Sequence, residues 1–124
     1  MSQIARIALA IAVMTGAGST LAQTAPADLT RADLQRHDLL IDGREVVQTR
    51  VEFAPGAISP WHSYPGEEVI NVPKGTLDFQ IEGQSPVTLK AGDTLFVPAG
   101  TGHMARNPGT VRGVELATYI VTKG

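Results

Sequence analysis

From Arg44 onward the chain alternates apolar and polar residues with a period of two. Val47, Thr49, Val51 and Phe53 interleave with Gln48, Arg50 and Glu52, the pattern of a half-buried strand. Ala54-Pro55-Gly56 ends it. An apolar run follows at Val69 to Val72, then a turn at Pro73-Lys74-Gly75. Leu77, Phe79 and Ile81 alternate with Asp78, Gln80 and Glu82. Gly83-Gln84-Ser85 reads as a hairpin loop, with Val87-Thr88-Leu89 returning. Thr94 to Val97, a strand opening at His103 and the β-branched stretch from Val114 to Val121 complete the series. Short strands with Gly/Pro turns predict an all-β sandwich or barrel.

Upstream of Arg44 the pattern changes. Thr30-Arg31-Ala32-Asp33 resembles a capping box and predicts a short N-terminal helical turn through Gln35. Gln23 to Leu29 reads as a flexible lead-in. His37 stands outside any cluster and is given no role. Further upstream, Ile7 to Met14 is an apolar run. Arg6 is the only charge before Asp28, and Thr20-Leu21-Ala22 offers a cleavage site. This is the layout of a secretory signal peptide, too short to span a bilayer. The expected organisation is a signal peptide over 1–22, a lead-in over 23–43 and one β-barrel domain over 44–124. It implies a periplasmic or secreted protein with no stable membrane insertion after cleavage.

Composition narrows the function classes. One domain of 124 residues has room for one modest core. There is no cysteine, which excludes disulfides, thiol nucleophiles, lipid-modified cysteine anchors and thiolate metal ligands. The net charge of -2 comes without any basic run, so nucleic acid is not an expected partner.

The chemistry concentrates in Gly56 to Gly75. His62, Tyr64 and Glu68 lie close together there, and Pro65-Gly66 is a turn signal that folds Glu68 back beside the other two. His103 follows downstream. Imidazole and carboxylate are ligands for divalent metals. Glu67 competes with Glu68 as the carboxylate, but neighbouring strand residues face opposite ways, and the spacing to Tyr64 and Gly75 favours Glu68.

Two spaced patterns resemble the signature motifs of the cupin superfamily. Gly56, His62-Ser63-Tyr64, Glu68 and Gly75 match the first. Gly92, Pro98, Gly100, His103 and Asn107 match the second. The chain looks like the small single-domain bacterial cupins that carry an export signal. The resemblance implies a jelly-roll barrel closing around a pocket, and a homodimer. It also implies one divalent metal, of which iron, manganese, nickel, cobalt and zinc all suit a set of His62, Glu68 and His103. Tyr64 stands where the family usually has a second His. Three roles are open to it: an acid/base group beside the metal, a space-filling residue in a decayed site, or a phenolate ligand. Asn107, Gly100 and Pro98 read as structural.

The expected pocket lining is Phe53, Ile70, Leu77, Phe79 and Ile81, suited to a small, partly apolar ligand. Arg106 and Arg112 are the arginines offered near the rim, and are otherwise solvated. Trp61, beside His62 on a strand, should face away from the pocket, covered by the N-terminal segment or by a partner. Two functions compete, beside a third reading as a structural remnant with little affinity for anything. One is metal-dependent chemistry on a small organic substrate, of dioxygenase, isomerase or lyase type. The other is non-catalytic binding or sensing of a small ligand in the periplasm, over a degenerate metal site.

Overall fold

The computed structural model describes residues 29–123, so the signal peptide and the lead-in up to residue 28 lie outside the described residues. Nine strands run in order: β1 (Leu29–Asp38), β2 (Arg44–Phe53), β3 (Ile58–His62), β4 (Glu67–Lys74), β5 (Thr76–Ile81), β6 (Val87–Lys90), β7 (Thr94–Val97), β8 (His103–Arg106) and β9 (Gly113–Thr122). They form a five-stranded sheet, β1-β2-β9-β4-β7, and a four-stranded sheet, β3-β8-β5-β6. Every pairing is antiparallel. The order of strands in both sheets crosses over repeatedly, as expected of a jelly roll.

The alternation read from the sequence decides which side chains meet between the sheets. In β2, Glu45, Val47, Thr49, Val51 and Phe53 are buried and their neighbours are not. Val51, Phe53, Ile70, Val72, Leu77, Phe79, Ile81 and Val97 pack into the main core. A smaller cluster of Val47, Ala117 and Tyr119, with Tyr64 and Val121 against it, sits apart. The residues expected to line a pocket therefore fill the main core instead. The smaller cluster borders the open space.

The N-terminal helical turn is corrected. Residues 29–38 form a strand paired to β2 from Leu29↔Phe53 to Asp38↔Glu45, with a bulge between Asp33 and Gln35. The described part of the expected lead-in is thus a sheet edge. Asp33, the acid of the supposed capping box, instead accepts a hydrogen bond from the Thr49 hydroxyl at 2.9 Å. Pairing along a whole strand outweighs a weak local helix signal.

Asn107 behaves as the structural residue expected of it. It is buried, donates through Nδ2 to the carbonyls of Phe53 and Val111, and accepts from the Gly109 amide. Gly66 has a stricter duty. A Cβ built there would lie 1.9 Å from the Ile120 carbonyl oxygen. Only glycine lets the chain enter β4 this close to β9, and that approach sets the Glu68↔Tyr119 register. We expect Gly66→Ala to lower stability by about 2 kcal/mol, since backbone has to shift to admit the methyl group. Urea unfolding measures it, and an unchanged midpoint would remove this account of the β4–β9 approach.

Candidate metal centre and cavity

Each site residue is placed by backbone pairing. His62 closes β3 and sits opposite His103, the first residue of β8. Their rings stand 4.3 Å apart between centroids. Glu68 lies on β4 in the other sheet and reaches across the interior, its Oε1 3.1 Å from His103 Nε2. Tyr64 follows β3, its carbonyl held by the Gly100 amide at 2.7 Å. Its ring lies 5.3 Å from that of His62 and 4.5 Å from that of Tyr119. The four residues singled out in the sequence are therefore neighbours. Glu67 points elsewhere, to Arg44.

The two imidazoles are oriented alike. His62 Nδ1 lies 2.8 Å from the Pro60 carbonyl, and His103 Nδ1 lies 3.1 Å from the Thr101 carbonyl. A carbonyl only accepts, so each Nδ1 carries the proton and each Nε2 is left with its lone pair. Metal-ligating histidines are commonly fixed in this way. Glu68 Oε1 is buried, and no donor is aligned to hydrogen-bond it despite the nearby Nε2. Two lone-pair-bearing atoms 3.1 Å apart require positive charge on or between them. A proton on His103 meets that requirement, and so does a divalent cation. In donor chemistry the residues fit a metal. Among the described residues, however, no three His, Asp or Glu side chains close to metal-holding distance as they stand.

Charge is distributed unevenly around this pair. Burial lowers the pKa of His103, but contact with Glu68 and Thr101 outweighs it and the net direction is upward. Glu115, on β9, was not picked out from the sequence. Its carboxyl is pushed up to about 7, first by burial and then by the negative charge of Glu68. Tyr119 is also held above its ordinary value by burial, by Glu68, and by a hydrogen bond with Tyr64, so its phenol stays protonated. The phase of β9 carried the signal for both: Glu115, Ala117 and Tyr119 alternate, and all three are buried.

A cavity of about 720 Å³ opens beside the site. His62, Tyr64 and Tyr119 form one wall, and Leu29, Arg31, Asp33 and Arg36 of β1 form another. Glu68 and His103 are buried and do not line it. The arginines expected near the rim are engaged elsewhere. Arg106 pairs with Asp78 and Arg112 with Glu52. Arg31 and Arg36 supply the cavity's positive charge, and the helical reading of residues 30–35 hid the first of them. Trp61 faces outward as expected and is 53% exposed.

A two-sheet jelly roll with paired histidines and a buried carboxylate beside a cavity defines the class as a jelly-roll β-barrel. A family profile described as a cupin domain matches residues 49–120, more than half of the chain, and the protein belongs to that family. The germin-like protein subfamily 2 member 1 of Arabidopsis thaliana is 34% identical over 76 residues, covering 57% of this chain and 35% of that protein. The dimethylsulfoniopropionate lyase DddQ of Ruegeria pomeroyi is 37% identical over 56 residues, covering 45% of this chain and 28% of the lyase. An oxalate oxidase structure superposes with a TM-score of 0.64 at 25% identity, over 80% of this chain and 57% of the oxidase. The chain thus spans well under half the length of those two curated relatives.

The Glu115 carboxyl yields a pH prediction. Its pKa rises on folding from 4.5 to about 7, so between those values the native state binds more protons than the unfolded chain. Its contribution to stability therefore falls as pH rises through that window. The loss is about 3 kcal/mol when complete. We expect Glu115→Gln to flatten the fall in melting temperature between pH 5 and 7 and to melt higher than wild type at pH 8. Parallel melting curves for the two proteins would remove the assignment.

Proposed function

We propose that this protein is an exported cupin that holds one divalent metal through Nε2 of His62, Nε2 of His103 and a carboxylate oxygen of Glu68. The metal serves chemistry on a small, partly apolar organic molecule, of dioxygenase, isomerase or lyase type. The observation that carries the reading is the matched orientation of both imidazoles beside an unpartnered, buried Glu68 oxygen. Iron, manganese, nickel, cobalt and zinc all suit these donors. When bound, such a cation supplies Lewis acidity and, if redox-active, activation of oxygen. The protein's own groups do the rest. Tyr64 lies between His62 and Tyr119 at the cavity wall, where its hydroxyl can hold or pass a proton at the reacting end of the ligand. Leu29, Val47 and Val121 exclude water from the apolar part.

Elemental mass spectrometry on protein purified without added metal tests this. We expect about one metal per chain in wild type, loss in His103→Ala and in Glu68→Gln, and retention in Tyr64→Phe with any turnover impaired. Loss in Tyr64→Phe would make the phenol a ligand. A metal-free wild type that stays so after soaking would end the metal reading.

A second reading is favoured by the wider spacing of the three ligands and by the packing of Tyr64 on Tyr119. It is a periplasmic binding or sensing cupin with a degenerate metal site, and saturable ligand binding without metal or turnover would select it. Both readings include export, from the apolar run and cleavage site over residues 1–22. Cleavage should leave Gln23 as the mature N-terminus, checked by intact mass of the exported protein. Both also include a homodimer, in which a second copy covers exposed Trp61 and Ile58 on β3.

A further inference from the structure

Arg31 and Arg36 both enter the cavity wall from β1, but their charges differ in availability. Arg36 Nη1 is held by Glu45 at 2.7 Å. Among the described residues no carboxylate comes within ion-pair distance of Arg31. It lines the cavity together with Tyr119, whose ring packs on that of Tyr64, and the Tyr119 hydroxyl and the buried Glu115 carboxyl both act on its charge. Asp33, two residues along the same strand face, has one carboxylate oxygen occupied by the Thr49 hydroxyl.

Resting on the reading of this cavity as the ligand site, we propose that Arg31 is its charge-reading residue. The ligand is then a small, largely apolar monocarboxylic acid, with its carboxylate docked on Arg31 and Tyr119. A guanidinium presents a planar fork of donors that matches a carboxylate, and a protonated phenol adds a further donor. Leu29, Val47 and Val121 offer the apolar tail its surface. A second negative charge has no welcome place. Asp33 lies in the same wall, and the buried Glu68 carboxylate lies behind the tyrosines. Among the described residues lining the cavity, Arg31 is the one arginine outside a salt bridge, which selects a monoanion over a dianion. Because Arg31 and Tyr119 line one cavity, Tyr119 packs on Tyr64, and Tyr64 packs on His62, the anchored acid presents its proximal carbons to the His62 side.

Calorimetric titration of the purified chain, as isolated and after chelation, tests the assignment. The probes are butanoate, benzoate and the matching primary amides, with inorganic phosphate alongside. Wild type should bind each acid at least tenfold more tightly than its amide. Arg31→Gln should erase that preference, Arg31→Lys should keep part of it, and Arg50→Gln on the outer face should keep all of it. Melting curves confirm that each variant is folded, and the lysine variant carries the test if the glutamine variant is not. Equal binding of acid and amide, no saturable binding of either acid, a preference that survives Arg31→Gln, or phosphate binding as tight as the acids would each overturn the proposal. An Arg31-dependent preference in the chelated protein supports it whether or not the metal reading holds. A preference that survives Arg31→Gln with metal content intact overturns Arg31's role alone.

Discussion

Glu68 Oε1 and His103 Nε2 stand 3.1 Å apart in the interior, and they belong to opposite sheets. The arrangement of the site end depends on that contact. Taking an ionised carboxylate out of water costs on the order of several kcal/mol, and no hydrogen bond is aligned on this oxygen. A proton or a cation has to share the space. The same buried negative charge raises the pKa of both Glu115 and Tyr119. Burial comes first for both groups, and one side chain on β4 adds to it. It also requires that β4 run close to β9, which Gly66 alone permits.

The strands that face the main core were legible because their inward residues are apolar. Val51 and Phe53, or Leu77 and Phe79, announce a period of two against polar neighbours. The site was legible for a different reason. His62, Glu68 and His103 are brought together by backbone register, and spacing along the chain encodes register. β1 was illegible on both counts. Its inward residues are Leu29, Arg31, Asp33 and Arg36, which face a cavity and not a core. An inward face that is charged looks like an outward one, and a bulge at Asp33/Gln35 breaks the phase as well. The pocket lining was misassigned by the same confusion, since the most apolar inward residues belong to the closed end of the barrel.

Tyr64 and Tyr119 stand at the cavity wall between the buried Glu68–His103 pair and the Arg31 guanidinium, while Glu115 feels the charge of both Glu68 and Arg31. The two rings pack on each other there, 4.5 Å apart between centroids. Replacing the second histidine of the family pattern by Tyr64 thus substitutes an uncharged, proton-bearing group for a basic one at the boundary.

β1 is also the outermost strand of its sheet, hydrogen-bonded to β2 alone. A terminal strand opens at lower free energy than an inner one, because only one ladder has to part. The cavity wall that β1 forms is thus held to the barrel along one ladder only. A ligand docked on Arg31 as proposed would fasten that margin down, and occupancy of the chamber and order of β1 would become one thermodynamic quantity.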